Sequence, residues 1–242
     1  MTERRLGEAL RAMVSAEAGG ERAPGAGESV LMNPNRQRIF EFLCFYPCST
    51  PSQISQALRM SGPTVQWHLV KLARAEYVRD SPSGRSHLYF PAGLGLDDLE
   101  LATLSAVNGL GGSRLLSVVV AQPGLTLRQL GEATGLGAGA GRLQASRLAN
   151  AGLLVVVTDG RYRRFYPSEA ILRLEKAARR KLRAFRARLL KRMERERLSP
   201  TTQLSLSREQ EVQIRVGDRA YVMRLPSGSL LNAVTALGGS DG

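Results

Sequence analysis

Apolar residues recur along this chain in two rhythms, first every three or four positions and then every two. From Asn33 the first rhythm runs through Ile39, Phe40, Leu43 and Cys44, and Pro47 ends it. That spacing predicts a helix whose apolar stripe faces a core. Asn33-Pro34 suits its start, because Asn caps a helix and a proline in the first turn has no N–H to satisfy. Thr50-Pro51 opens a second, short helix with Ile54, Ala57 and Leu58 inward. Ser61 opens a third over residues 62–76, with Val65, Leu69, Leu72 and Ala75 inward. His68 falls on the same side and reads as a packed histidine. The period then drops to two: Tyr77-Val78-Arg79, a turn at 81–84 and Arg85–Phe90 predict a β-hairpin.

The same pattern returns 76 positions later without a gap. Pro47 meets Pro123, Thr50 meets Thr126, Gln53 meets Gln129 and Gly84-Arg85 meets Gly160-Arg161. Apolar positions match apolar positions: Ile39 with Leu115, Ile54 with Leu130, Val78 with Leu154. The second copy predicts helices over 113–121, 126–134 and 138–152, then a hairpin turning at Asp159-Gly160. A supersecondary unit built twice points to one task done twice.

Six segments follow. Residues 1–30 hold a short amphipathic helix and a Gly/Ala/Pro-rich linker. The first unit occupies 31–96, a linker helix 97–112 and the second unit 113–167. Residues 168–198 read as one long helix with Ile171, Leu174, Leu182, Phe185 and Leu189 on a stripe. Residues 199–242 hold a hairpin (211–225) and a short apolar helix (230–237). The fold class is mainly α with small β-hairpins (α+β).

Net charge is +13 over 242 residues. Residues 33–96 carry seven basic and three acidic residues, residues 113–167 seven and two, and residues 168–198 twelve and four. The excess therefore lies on the two units and the long helix, the footprint of a polyanion binder. Two cysteines in this length make no disulfide framework, and no apolar run reaches membrane-spanning length. A cytoplasmic, nucleoid location is the expectation.

Helix, short helix, helix and hairpin is the layout of a winged helix-turn-helix. The stretch Ser61-Gly62-Pro63-Thr64-Val65-Gln66-Trp67-His68-Leu69-Val70-Lys71-Leu72, then Ala75-Glu76-Tyr77-Val78, Gly84-Arg85 and Tyr89, resembles the ArsR-like and MarR-like regulators, especially archaeal ones. The resemblance covers about 60 residues of unit one and 55 of unit two. It implies tandem winged helices, a recognition helix at 62–76 and a wing tip at Arg85. A recognition helix needs short polar groups near its N-terminus and a base further on. Ser61, Thr64, Gln66, Trp67 and Lys71 supply them. Gln66 suits an adenine edge, Thr64 a phosphate or thymine methyl, and Lys71 a phosphate. Trp67 fits either a groove-stacking or a helix-covering role. In unit two the positions of Gln66, Trp67 and Lys71 hold Arg142, Leu143 and Arg147, and the wing holds Arg161, Arg163 and Arg164. That pattern suits backbone holding more than base reading.

The partner expected is double-stranded DNA, with a homodimer formed through the stripe of the long helix. The same helix also reads as a basic rail on DNA or as a solvated basic face. Gly135–Ala140 matches a loose dinucleotide pattern, but a helix precedes it where a strand is required. Cys44 and Cys48 with His68 and His87 lack the paired-Cys motif of metal-sensing relatives. No catalytic constellation, cofactor or metal site is expected. The rivals to a regulator are a nucleoid-associated coating protein of low specificity and a winged-helix interaction scaffold.

Overall fold

Asn33 opens the first helix as its side chain allows: Oδ1 accepts from the backbone N–H groups of Asn35 and Arg36, both at 3.1 Å. The computed structural model describes residues 30–84, 86–108, 111–204, 209–216 and 219–226. The helix expected within 3–17 and that at 230–237 lie outside the described residues. The described residues form an α+β fold of eight α-helices and three small sheets. Helices α1 (Pro34–Phe45), α2 (Pro51–Leu58) and α3 (Gly62–Arg74) precede an antiparallel hairpin, β1 (Val78–Ser83) and β2 (Ser86–Pro91). Helix α4 (Asp98–Asn108) links this unit to α5 (Gly112–Ala121), the two-residue strand β3 (Leu125–Thr126), α6 (Leu127–Thr134) and α7 (Ala138–Asn150). Strands β4 (Leu154–Asp159) and β5 (Tyr162–Pro167) close the second unit.

Shifted by 76 residues, α2, α3, β1 and β2 fall on α6, α7, β4 and β5 at both ends. The caps repeat as well. Thr50 and Gln53 form a capping box, and so do Thr126 and Gln129. The bridge Ser49–Tyr89 of the first unit becomes Leu125–Phe165 in the second.

One difference separates the copies at their turns. Cys48, Arg59 and Glu76 adopt left-handed backbone, with φ of 63°, 54° and 55°. Their counterparts 76 residues on are Gly124, Gly135 and Gly152, at 88°, 68° and 70°. A side chain in that region costs roughly 1–2 kcal/mol. Arg59 ends α2 in this conformation, and its side chain is exposed. Arg59→Gly is therefore expected to stabilise the protein by about 0.5–1 kcal/mol, less than the strain relieved because glycine also frees the unfolded chain. A higher urea midpoint at constant m-value is the measurement.

The linker belongs to the core. Asp97 and Glu100 bond each other's backbone N–H at 2.9 Å and cap α4. Asn108 Nδ2 donates to the Pro47 carbonyl at 2.6 Å, and Gln53 Nε2 donates to the Asn108 carbonyl at 3.1 Å. Leu104, Val107, Leu115, Leu116 and Leu148 lie in one hydrophobic cluster with Ile39, Phe40 and Leu72 of the first unit.

Helix α8 (Ala170–Arg195) corrects an expectation. Its stripe was expected to form a dimer interface, because it is longer than one module can cover. The chain covers it instead: Ile171, Leu182, Phe185 and Leu189 are 4%, 1%, 3% and 4% exposed, and Leu174 packs against the same core. The 3₁₀ turn Ala92–Leu94 of the first unit lies against it, and a Cβ on Gly93 would meet the Phe185 ring at 3.0 Å. The tail supplies more cover than the expected hairpin. Pro200, which cannot continue the helix, opens a strand. Strands β6 (Pro200–Leu204), β7 (Glu209–Val216) and β8 (Arg219–Pro226) form an antiparallel sheet in that order. Helix α1 covers the outer edge of β8. Gln37 Nε2 donates to the Val222 carbonyl at 2.6 Å, and the Arg224 N–H donates to Glu41 at 3.3 Å.

Candidate nucleic-acid interface

Ser61 starts α3 as its N-cap, accepting from the Thr64 N–H at 3.2 Å, and its hydroxyl also bonds the Thr64 hydroxyl at 2.6 Å. These two polar groups are therefore held together at the helix mouth. Val65, His68, Leu69 and Leu72 point inward and are buried. That orientation leaves Gln66, Val70 and Lys71 exposed on one face and Trp67 half-buried beside them. Lys71 Nζ lies 5.4 Å from the Trp67 ring centre, and the indole meets the His68 ring edge-on at 4.7 Å. Trp67 is thus half-buried between the His68 ring and the Lys71 ammonium on its own helix. Gln66 makes no side-chain hydrogen bond within the described residues. Arg85 lies outside them.

In the second unit α7 places Arg142, Leu143 and Arg147 outward. Leu143, in the position of Trp67, is 51% exposed. A cleft of about 420 Å³ separates α7 from the hairpin and is lined by Arg142, Ser146 and Asn150 on one side and by Val156, Arg163 and Phe165 on the other. The fold brings together Arg142 and Arg163, 21 residues apart in sequence, and neither has an acidic partner within the described residues. Arg161 lies over the Tyr162 ring at 5.0 Å. Arg164 departs from the expected role. It bonds Asp159 at 2.6 Å and the Gly124 carbonyl at 3.0 Å, and the Asp159 contact holds its guanidinium more firmly protonated than usual. It is a brace inside the hairpin, so the outward cations of the hairpin are Arg161 and Arg163.

The mouths of the two helices differ. Ser61 caps α3, whereas Gly137 gives α7 no side-chain cap. Beyond the local backbone, no atom lies within 4 Å of where a Cβ on Gly137 or Gly139 would stand. These glycines are not required by packing. Both cysteines are free and buried. Burial pushes the Cys48 thiol up to about 12, and Cys44 also well above its ordinary value. Neither is a thiolate at neutral pH. Among the described residues no single helix is long and apolar enough to cross a membrane.

No family model matches the chain. It is 25% identical over 149 residues to an uncharacterized HTH-type transcriptional regulator of Methanocaldococcus jannaschii. The match covers 62% of this chain and 37% of the relative, so the chain spans little more than a third of that protein's length. A solved structure, ScpB from Mycobacterium tuberculosis, aligns over 57% of this chain and 92% of its own at 17% identity, with a TM-score of 0.24 that supports no structural argument. The chain is thus distantly similar to a helix-turn-helix regulator.

The cations of α8 that bind the chain's own carbonyls and carboxylates escaped the sequence reading. Arg188 donates to the Gly93 carbonyl at 2.8 Å, and Lys181 pairs with Glu100. Their partners lie more than 80 residues away, and no local pattern signals such contacts.

Proposed function

We propose that this chain binds double-stranded DNA through two winged helix-turn-helix units and acts as a transcription regulator. One observation carries the reading. At the same place in both units a helix holds its apolar face inward and presents polar or cationic side chains outward with no acidic partner within the described residues: Gln66 and Lys71 on α3, Arg142 and Arg147 on α7. A single helix fits the major groove of B-DNA, and a carboxamide offers the donor and acceptor pair that an adenine edge matches. The distant similarity to a helix-turn-helix regulator supports the same reading. Two units in one chain supply the paired reading heads that such proteins otherwise obtain by dimerising.

The two heads are unequal. In unit one Gln66 reads bases while Thr64 and Lys71 position the helix. In unit two Arg142, Arg147, Arg161 and Arg163 hold phosphates, and the uncapped, glycine-lined mouth of α7 lets a phosphate approach its N–H groups. That second head also favours a second reading, a nucleoid-coating protein of low specificity.

Gel shifts over a salt series test the division. Gln66→Ala is expected to reduce discrimination between the preferred and a random duplex by about tenfold to a hundredfold. Arg161→Ala with Arg163→Ala is expected to weaken binding to both duplexes alike and lower the salt slope by about 2. An unchanged slope would rule out phosphate holding by this wing. A wild-type preference near unity between genomic sequences selects the coating protein over the regulator.

A further inference from the structure

We infer that the outer face of α8 is a second DNA-binding surface, so that one chain can hold two duplex segments at once. The inference rests on the DNA reading above and extends it to a different part of the molecule. At 100° per residue, the side of α8 opposite its buried stripe carries Arg173, Lys176, Arg180, Arg183, Lys191 and Arg195. All six are exposed. None makes an ion pair within the described residues, and the one side-chain hydrogen bond is from Arg195 Nε to the Lys191 carbonyl at 3.4 Å. Glu169 and Glu194 share this face only near its ends.

The sorting of charge around the helix separates a rail from a merely solvated surface. Cations on the flanks have carboxylate partners: Arg179 with Glu175, Lys181 with Glu100, and Arg192 with Glu196. Like charges three and four residues apart repel. Lys176, Arg180 and Arg183 stand at that spacing with no carboxylate between them. A surface serving solubility alone would alternate signs. Ala184 and Ala187 lie among the cations and are exposed, so a duplex can come close to the helix. The first and last cations are about 33 Å apart along the axis, close to one turn of B-DNA at about 34 Å.

Position decides that the rail takes a second segment. Helix α8 meets α3 at its C-terminal end, where Arg192 binds the carbonyls of Ala75 and Glu76. Ser61, Thr64 and Gln66 lie in the N-terminal half of α3, and Lys71 in its last turn. A helix of 13 residues is about 20 Å long. The rail lies opposite the stripe that packs on the chain, on a different element from the reading face of α3. A membrane surface fits poorly, because the apolar face that would enter the lipid is packed inside the chain.

A bridging assay tests this with the full chain. Protein bound to an immobilised duplex is challenged with a second, fluorescent duplex at about 0.1 M salt, where phosphate contacts still dominate binding. Wild type is expected to retain the second duplex. The variant Arg173→Gln, Lys176→Gln, Arg180→Gln, Arg183→Gln, Lys191→Gln, Arg195→Gln is expected to load the immobilised duplex within about threefold of wild type and to lose at least about tenfold in second-duplex capture. Circular dichroism and the urea midpoint verify that the variant is folded. Equal capture by the variant overturns the inference, and so does a matching loss from the immobilised duplex, which would merge the rail with the first surface. Rail-dependent binding to phosphatidylserine vesicles without second-duplex capture would assign the face to a membrane and overturn it too. If wild type binds no duplex at all, the DNA reading itself fails, a result distinct from binding without bridging.

Discussion

Replacing Arg192 with alanine is expected to destabilise the protein by about 3 kcal/mol, because one guanidinium joins three parts of the chain. Its Nη1 donates to the Glu76 carbonyl at 2.7 Å, and Nη2 donates to the Ala75 carbonyl. Nε bonds Glu196 at 2.8 Å, and the plane lies 3.8 Å from the centre of the Tyr77 ring. Tyr77 donates its hydroxyl to Glu196, which closes the cluster. The carbonyls of Ala75 and Glu76 follow the last turn of α3 and have no further turn to accept from. Charged hydrogen bonds to such groups contribute more than neutral ones. Arg192→Lys keeps the charge but loses the fork and the stacking, so it is expected to recover less than half of the loss. Urea denaturation with an unchanged m-value measures both. A loss below about 0.5 kcal/mol for Arg192→Ala, the level of an ordinary surface substitution, would remove the cluster from the account of what holds α8 to α3.

The units were legible because their signals are local. Thr50 and Gln53, and Thr126 and Gln129, stand three apart and form the capping boxes that their spacing allows. Apolar residues at 65, 69 and 72 turned the outward positions of α3 into an inference from period alone. Helix α8 was legible as a helix, but its cover was not. The surfaces that cover this helix come from a turn at Ala92–Leu94 and from the strand that opens at Pro200. A stripe pattern reports that a partner exists without saying whether it is the same chain. The inward cations failed for the same reason, since Arg192 and Glu196 look like an ordinary helical pair until the chain folds Tyr77 against them.

The left-handed turns show what a repeat can reveal and what it hides. Gly124, Gly135 and Gly152 mark turns by composition in the second unit, while Cys48, Arg59 and Glu76 mark nothing by residue type in the first. Only the 76-residue register transfers the geometry from one copy to the other. Arg164 illustrates the converse. It sits among basic neighbours and so looked outward-facing, yet Asp159 and the Gly124 carbonyl hold it.

His68 is expected to make stability fall with acid by about 3 kcal/mol between pH 6.5 and 4, in addition to the loss from carboxylates. The imidazole is 4% exposed on the inner face of α3, and its Nδ1 has no hydrogen-bond partner within the described residues. Burial, and then the charge of Arg36, push its pKa down to about 4 from the ordinary 6.5. The folded chain therefore keeps the ring neutral while the unfolded chain takes up a proton near pH 6.5. Stability from this group is fully present above pH 6.5 and is lost as pH falls towards 4, because the unfolded state binds more protons across that window. His68→Gln cannot take up that proton. The difference in unfolding free energy between wild type and His68→Gln, measured from pH 7 to pH 4, is expected to shift in favour of the variant by about 3 kcal/mol. A difference that stays constant across that range would mean that the ring is protonated in the folded chain. In that case α3 would carry an additional positive charge beside Trp67 and Lys71. Acid would then strengthen the phosphate binding proposed for this face, where the neutral ring predicts no change before the helix unfolds.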